Sequence, residues 1–501
     1  MDYIQYCTYF DKHKKKISNK KAFAGINVIY SEYSKNLIML FISSLMGNIG
    51  VENSPVTLIK IHEHYLGEKT DNVIHRRAIH LLSQIFFSCT NFSKFDYAYK
   101  ISHEDTYNLF LFANTILNGV EGYKKLSEDE IPSSIQFFHT AYRFSNDLIT
   151  NQDVRILFLF YHRFYEKLRT TKSKNQYDII IKNTVGINLE IYSDILNQLY
   201  NRKKKIAYNF VIKNFSVLFE DTNKKWLTRK PKIKIPFEYR FLQTNSIVIY
   251  EFRPYWMCSI PFIFAAMAKK PYHIFRGSGN LNFGNDFGNS VENTFCEFFD
   301  EKLLNRNCLK ISELKIRNVE LADYGILYKN NLLLFEIKSS MLSLKEKYEQ
   351  NLGKFQNAID DKYVNSSGVT QQLKRIKNLD EYYELFCKKN NLSNSIPYNI
   401  IPIILFLDEE FIALGVNKYF GERFISKRSE LEYEFKKINC HKNNTALTFN
   451  ELYSSIEELQ NPEDVLKSII LYNINFNNIN ISMFPYENYL QKEYNKQKNI
   501  L

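Results

Sequence analysis

Apolar residues recur at three- and four-residue spacing through most of residues 1–275, where Gly and Pro are few. That spacing gives a helix one apolar face. It is clearest over residues 81–87, 107–117 and 157–168. Residues 246–250 form a short β-branched run instead, which is typical of a strand. The first part of the chain is therefore predicted to be mainly α-helical.

The pattern changes at residue 276. Residues 276–289 are rich in Gly and Asn, which indicates a linker. Beyond it, apolar runs of strand length alternate with amphipathic stretches of helix length. Asn330 and Asn331 favour a turn, because Asn tolerates positive φ. In chain order, the predicted elements are a helix at 290–304, strands at 314–317 and 321–328, a hairpin turn at 329–331, a central strand at 332–338, helices at about 344–361 and 370–388, a buried strand at 400–407, a short strand at 447–449, and helices at about 450–459 and 462–472.

This order of elements predicts two domains. Residues 1–275 form a mainly α-helical domain for recognition, sensing or oligomerisation, and the linker 276–289 follows it. Residues 290–475 form an α/β domain, in which helices flank a mixed sheet. Residues 476–501 are predicted to be a C-terminal tail.

The composition is that of a globular protein, since 45% of the 501 residues are hydrophobic and 24% are charged. An aromatic content of 15% excludes a wholly disordered chain. The apolar runs at 37–46 and 256–268 are shorter than the roughly 20 residues of a membrane span. The N-terminus has no leader pattern. The seven Cys residues are scattered without a C-x-x-C pair, which excludes a zinc ribbon. We therefore expect a cytoplasmic protein with free thiols and no membrane contact.

The formal net charge is +12, and much of it lies in residues 201–240, which hold twelve Lys and Arg against three Asp and Glu. Basic residues with aromatic residues between them fit a phosphate backbone. A solvent-exposed helix face is the alternative interpretation. The candidate nucleic-acid contacts are Arg202, Lys203, Lys204, Lys205, Lys224, Lys225, Arg229 and Lys230.

Three charged residues form the strongest chemical candidate. Asp323 lies in the second predicted strand, and Glu336 and Lys338 lie in the third, across the hairpin. Glu336 and Lys338 are two residues apart and therefore share one face of their strand. Glu292, on the preceding helix, can add a third carboxylate. Carboxylate oxygens suit Mg²⁺, and a nearby Lys can orient a water or neutralise an oxyanion.

Other chemistries lack their motifs. No G-x-G-x-x-G, Gly-Lys-Ser/Thr, H-E-x-x-H or Gly-x-Ser-x-Gly is present. Two further E-x-K sequences begin at Glu313 and Glu434, but neither has an Asp one hairpin upstream. Residues 429–437, around Glu434, are predicted to be a charged surface helix.

The pattern Asp323-x12-Glu336-Ile337-Lys338 resembles the PD-(D/E)xK nuclease superfamily, which has the restriction-endonuclease-like fold. The resemblance implies that Asp323 and Glu336 bind metal and that Lys338 is the catalytic lysine. Glu292 resembles the first-helix glutamate of many members. Gln371 or Gln372 resembles a glutamine near the site in several branches, and Gln372 is taken as the catalytic candidate. Ala322 stands where many members have proline.

The resemblance covers residues 280–470 and implies a metal-dependent endonuclease that cuts DNA with Mg²⁺ or Mn²⁺, in bacterial restriction or antiviral defence. Two alternatives stay open. The first is a nucleic-acid-binding module with an inactive nuclease fold, and the second is a nuclease for RNA or branched DNA. A homo-oligomer or a defence-system partner subunit fits either.

Overall fold

The computed structural model describes residues 19–35, 37, 38, 41, 42, 82, 85, 86, 89, 91–94, 100–121, 134, 135, 138, 139, 151–201, 268, 269, 271, 272, 274, 275, 284–343, 346, 349 and 352–494. The strand predicted at 246–250 and the basic residues 202–240 lie outside the described residues. Within the described ranges, none of the helices is both long enough and apolar enough to cross a membrane.

The chain divides into two compact units. The first comprises Met1–Lys124 and Asn146–Leu281, and the second comprises Lys125–Ser145 and Asn282–Leu501. The second unit therefore includes a segment from the first half of the sequence. Phe138 of that segment packs against Phe355 and Tyr419 in the core of the second unit.

The described part of the first unit is helical, as the spacing of its apolar residues predicted. Its helices are α1 (Asn19–Glu32), α2 (His103–Glu121), α3 (Asn151–Thr170), α4 (Lys174–Val185) and α5 (Leu189–Tyr200). Aromatic side chains of α3 fill its interior. The buried Tyr165 hydroxyl, for example, donates to the carbonyl of Ala268 at 2.6 Å.

A six-stranded mixed sheet forms the centre of the second unit. The strands run in the order β1 (Cys308–Lys310), β4 (Tyr324–Tyr328), β5 (Asn331–Lys338) and β6 (Asn399–Phe406), after which β7 (Asn439–Cys440) and β8 (Thr445–Thr448) pair with different parts of β6. The first three strands are antiparallel, and β6 joins β5 in parallel. The mixed α/β architecture predicted for this part of the chain is confirmed.

The strand predictions were wrong in three details. The predicted strand at 314–317 is only β2 (Lys315–Ile316), which pairs with β3 (Val319–Glu320) in a separate small sheet. The true edge strand of the main sheet is β1, whose three residues are too few to give a periodic signal. Asp323 lies immediately before β4 rather than inside it.

The hairpin between β4 and β5 turns through Lys329 and Asn330, whereas Asn331 already belongs to β5. Lys329, not an asparagine, takes the positive φ of 54°. Tight pairing of Tyr328 with Asn331 leaves two residues for the turn, so the geometry of the hairpin overrides the local preference of Asn.

Helices cover both faces of the sheet. They are α6 (Gly284–Lys302), α7 (Leu352–Asp360), α8 (Val369–Glu381), α9 (Tyr383–Lys389), α10 (Val416–Glu430), α11 (Phe449–Leu459) and α12 (Pro462–Ile474), with two short helices after them, α13 (Ile479–Ser482) and α14 (Tyr486–Tyr489). On one face, Phe299 of α6 packs on Phe335 of β5 with ring centroids 4.9 Å apart. On the other face, Leu334 and Ile404 share a core with Leu373 of α8.

Several helix boundaries differ from prediction. α6 begins at Gly284, inside the predicted Gly/Asn-rich linker, because buried contacts of residues such as Phe287 outweigh the poor helix propensity of Gly and Asn. The predicted helix at 370–388 is two helices that break at Tyr382. The charged stretch 429–437 is helical only to Glu430, since Asp380 accepts hydrogen bonds from backbone N–H groups at 436–438.

The end of the chain is folded onto the second unit up to residue 494. Asn461 caps α12 through a hydrogen bond from Glu463 N, with Pro462 at the first helical position, as predicted. Beyond α12, the predicted tail contains α13 and α14. The Tyr486 amide donates to buried Glu451 of α11 at 2.8 Å. The first part of the predicted tail is therefore part of the packed core.

Candidate active site

Asp323 and Glu336 are brought together by the β4–β5 hairpin. Tyr324 pairs with Phe335, and one step further along this antiparallel register Asp323 stands opposite Glu336. The Asp323 amide donates to the Phe335 carbonyl at 3.1 Å, and Asp323 Oδ2 accepts from the Ile337 amide at 2.7 Å. Directly opposite residues point to the same face of a sheet. The structure therefore brings Asp323 and Glu336 together, as the sequence predicted.

Lys338 lies beside them at the end of β5. Its Nζ donates to Glu336 Oε1 at 2.7 Å. The Glu336 side chain is 2% exposed and the Lys338 side chain is 12% exposed. The charged pair is thus held at the edge of the core, where β5 emerges from an apolar run of four residues.

Glu292 approaches the same carboxylates from α6. Val291 and Phe295 bury one side of that helix, and Glu292 is half-buried next to it. Burial, and then the negative charges of Asp323 and Glu320, raise the pKa of Glu292 to about 7. Glu292 is therefore close enough to the strand carboxylates for their charges to act on it.

Arg375 of α8 is the part of this site that sequence reasoning missed. Its Nη1 donates to Asp323 Oδ1 at 2.5 Å and also to Glu336 Oε2. Its Nη2 donates to Glu320, at the end of β3. One signal was available in the sequence. Arg375 lies beside Gln372, Ile376 and Leu379 on the buried face of an amphipathic helix, where an arginine requires a carboxylate partner.

Glu320 is a second residue that the sequence did not single out. It ends the two-residue strand β3, and its side chain is 52% exposed, in contrast to the 9% of Asp323. Nothing in its local sequence distinguishes it from a surface glutamate. Only the return of the chain from β3 to β4 places it within reach of Arg375.

The two glutamines that open α8 have different partners. Gln371 Oε1 accepts from Lys338 Nζ at 3.1 Å. Gln372 is buried, donates from Nε2 to the Ile403 carbonyl at 3.0 Å and accepts from Asn444. Of the pair considered from the sequence, Gln371 therefore contacts the site, whereas Gln372 ties α8 to β6.

Two features set the electrostatics of the site: its acids are close together, and most of them are buried or half-buried. Burial, and then the charge of Asp323, raise the pKa of Glu336 to about 7, while Lys338 and Arg375 act in the opposite direction. Burial lowers the pKa of Arg375, but the charges of Glu336 and Asp323 together outweigh burial and raise it, so Arg375 stays a cation at any working pH. When all of them are ionised, four carboxylates stand near two cations here, so the cluster then carries an excess of two negative charges.

The donor set suits a divalent cation. All of the acidic ligands offer hard oxygens, as Mg²⁺ and Mn²⁺ require, and a cationic guanidinium already bridges Asp323 and Glu336. In the part of the chain that the structure describes, no three Asp, Glu, His or Cys side chains stand ready to hold a metal ion. The two strand carboxylates are instead joined through Arg375.

The remaining candidates lie elsewhere. The basic residues named for nucleic-acid contact lie outside the described residues. Glu313 is exposed and pairs with Lys389 at 3.9 Å, and Glu434 is exposed as well. Lys315, the last residue of the E-x-K sequence that begins at Glu313, stands opposite Glu320 in the β2–β3 pairing, but Glu313 itself precedes β2. The sequence that begins at Glu434 lies outside the described strands. No family model, no curated protein and no solved structure matches this chain.

Proposed function

We propose that the protein is a metal-dependent endonuclease of the PD-(D/E)xK type, with DNA as its substrate. One observation carries the proposal: Asp323 and Glu336 stand opposite each other around a cationic group, with Lys338 bonded to Glu336. The sequence of elements also supports it. A helix, three antiparallel strands, connecting helices and a parallel strand occur in the order of the restriction-endonuclease-like core.

Asp323, Glu336 and Glu292 are the residues that would hold Mg²⁺ or Mn²⁺. When bound, the metal would activate a water and stabilise the negative charge that develops on the scissile phosphate. The protein contributes rigidity, because Asp323 is fixed by two backbone hydrogen bonds to β5. Glu292 comes from α6, a separate element, and would add a third carboxylate when the metal binds.

Lys338 would act directly on the reacting groups. Its Nζ is held by Glu336 Oε1 and Gln371 Oε1, which fixes its position without consuming all three of its donor hydrogens. The third N–H is available to a phosphate oxygen or to the attacking water. Lys338 can therefore neutralise the oxyanion and orient the nucleophile.

DNA is favoured as substrate on two grounds. A formal charge of +12 attracts a polyanion, RNA as well as DNA, and so supports a nucleic-acid substrate in general. The resemblance in the sequence is to nucleases that mostly act on DNA, in bacterial restriction and phage defence. Fold-level resemblance supplies this second ground, so the biological setting rests on analogy.

The test is degradation of plasmid and linear DNA by the full-length protein with Mg²⁺, with Mn²⁺ or with EDTA. Asp323→Asn and Lys338→Ala are compared with wild type. Lys436→Ala is a matched control, because Lys436 belongs to the E-x-K sequence that begins at Glu434, and both charged side chains of that sequence are exposed. We expect metal-dependent cutting that both site variants abolish and the control retains.

Two results would contradict the proposal. Cutting that survives in Asp323→Asn and Lys338→Ala would place the activity elsewhere. DNA binding without cutting, under every metal condition, would favour the binding-module alternative. Parallel assays with RNA, branched DNA and single-stranded DNA distinguish the substrate classes.

A further inference from the structure

We propose that Arg375 occupies the cation's place between Asp323 and Glu336 in the metal-free protein, and that it withdraws onto Glu320 when a divalent cation enters. This inference rests on the proposed function, since it concerns the same carboxylates. It assigns to Arg375 and Glu320 a role that the sequence pattern does not contain.

The first step is the position of the guanidinium. A single nitrogen, Nη1, donates to one oxygen of Asp323 and to one oxygen of Glu336. A divalent cation held by these two residues needs the same inward lone pairs. Because the nitrogen and the cation would repel each other and compete for those oxygens, both cannot lie there together. Metal binding therefore requires Arg375 to move.

The second step is the charge of the cluster. When all four carboxylates are ionised, Glu292, Glu320, Asp323 and Glu336 give four negative charges, whereas Arg375 and Lys338 give two positive charges. The excess of two is balanced by one divalent cation. If Arg375 left the cluster altogether, the charge would no longer be balanced. The count favours a short withdrawal within the cluster over expulsion to solvent.

The third step is the existence of an acceptor. Nη2 of Arg375 already donates to Glu320, which comes from β3 and not from the strand pair that carries the other two carboxylates. The Glu320 side chain is 52% exposed, so solvent-accessible space adjoins it. Arg375 can keep this partner and exchange only the contacts of Nη1. A bidentate pair with one carboxylate is a common geometry for arginine.

The fourth step is the position of α8 itself. Gln371 and Arg375 are four residues apart and lie on one side of the helix, so one contacts Lys338 and the other contacts Asp323 and Glu336. α8 thus supplies polar contacts to every strand residue of the site. Arg375 is accordingly a positioning residue that holds the two carboxylates together until the metal replaces it.

The experiment measures Mn²⁺ binding to the full-length protein by isothermal titration calorimetry, with metal-induced thermal shift as a second readout and no DNA present. Wild type is compared with Arg375→Gln and Arg375→Lys. We expect Arg375→Gln to bind Mn²⁺ about tenfold more tightly or better, because charge-assisted hydrogen bonds no longer have to break. The same variant should melt earlier than wild type without metal and recover with Mn²⁺.

Arg423→Gln is the matched control. Arg423 also pairs with a half-buried carboxylate, Asp360, at 2.7 Å in the same unit, but it does not contact the site carboxylates. This control should lose thermal stability without a change in Mn²⁺ affinity. Arg375→Lys keeps the charge in a less suitable geometry, and we expect it to lie between wild type and Arg375→Gln. It also keeps the test decisive if the glutamine variant does not fold.

Glu320→Gln tests the acceptor. In the wild-type background it should weaken Mn²⁺ binding several-fold, since the displaced guanidinium loses its partner. In the Arg375→Gln background the weakening should be clearly smaller, because only one nearby negative charge is lost and no guanidinium needs an acceptor. Equal or greater weakening in the Arg375→Gln background would overturn the assignment of Glu320 as acceptor.

The inference is overturned if folded Arg375→Gln and Arg375→Lys bind Mn²⁺ no more tightly than wild type, or if wild type and both variants fail to bind it. Asp323→Asn separates this result from the proposed function. If wild type binds Mn²⁺ through Asp323 but cuts no nucleic acid, the nuclease proposal fails and the role of Arg375 stands. If wild type cuts DNA and the Arg375 variants do not gain affinity, only the inference fails.

Discussion

Lys338 Nζ of β5 donates to Gln371 Oε1 of α8 across 3.1 Å, which joins the catalytic candidate to the helix that covers it. The next residue, Gln372, turns the other way and donates to the Ile403 carbonyl inside the core. Of these two adjacent glutamines, one contacts the candidate site and the other binds the core. We therefore expect one substitution to affect activity and the other to affect stability.

Gln371→Ala should lower the rate of DNA cutting about tenfold with little change in stability, because Lys338 loses a partner that fixes its orientation. Gln372→Ala should lower the free energy of unfolding by about 2 kcal/mol, since it leaves the buried Ile403 carbonyl without its donor. Single-turnover kinetics and thermal unfolding of both variants check this. The reverse assignment of effects would show that Gln372 is the residue that acts on the site.

Gly368 controls the start of α8 and hence the position of Arg375. Its φ is +59°, and a Cβ there would collide with the Tyr363 carbonyl oxygen. Gly368→Ala should therefore shift or loosen α8 and cost well over the roughly 1 kcal/mol of positive φ alone. Hydrogen exchange over residues 369–381, measured by mass spectrometry, should become faster.

Gly186 is the control for this prediction. It ends α4 with a φ of +88° and has open space where its Cβ would lie. Gly186→Ala should thus show only the conformational cost, about 1 kcal/mol. If the two substitutions lowered the free energy of local unfolding equally, the collision with the Tyr363 carbonyl would not contribute to the cost at Gly368.

Asp380 closes the loop that joins α10 to β7. Its carboxylate accepts from the amides of Lys436, Lys437 and Ile438 and from the Tyr433 hydroxyl, at distances of 2.7–3.1 Å for the shortest bond of each. Asp380→Ala should lower the free energy of unfolding by about 3 kcal/mol, because four buried or partly buried donors lose their acceptor at once. Hydrogen exchange over residues 431–440 is the measurement.

Glu384 of α9, four residues after Asp380, offers a matched comparison. It pairs with Lys437 at 3.0 Å, but its side chain is 70% exposed. Glu384→Ala should change the free energy of unfolding by less than about 1 kcal/mol. If it costs as much as Asp380→Ala, the number of donors and their burial are not what stabilises this loop.

Glu451 gives the second unit a dependence on pH. It is buried and accepts from the Thr448 amide, the Thr448 hydroxyl and the Tyr486 amide, but burial outweighs these bonds and raises its pKa to about 7. The folded protein therefore retains a proton that the unfolded chain releases near pH 4.5. The stability that the folded protein gains by holding this proton is full below pH 4.5 and is lost as the pH rises toward 7.

Glu451→Gln should remove that contribution, since an amide does not titrate. Between pH 4.5 and 8, wild type should lose about 3 kcal/mol relative to the variant. Hydrogen exchange over residues 445–489 of the full-length protein, corrected for intrinsic rates, gives the comparison. A constant difference between the two proteins across that range would contradict the pKa assigned to Glu451.

Much of the second unit could be predicted from the sequence. The run Leu332–Phe335 is apolar on both faces, which fits only a central strand, and β5 is central. Asn461 and Pro462 mark a helix start because their effects are local. Elements too short for periodicity, such as β1 and β3, could not be found this way. Neither could the packing of Phe138 against Phe355, which are more than two hundred residues apart in sequence.

For the candidate site, the sequence by itself determined which residues share a strand face: Glu336 and Lys338 are two apart, and a hairpin turns Asp323 back toward them. The tertiary structure alone decided that Arg375 and Glu320 join them, and that Gln371 rather than Gln372 contacts Lys338. The physical reason is the range of the forces involved. Side-chain period and turn length act within a few residues, whereas a buried arginine is placed by carboxylates that only folding brings to it.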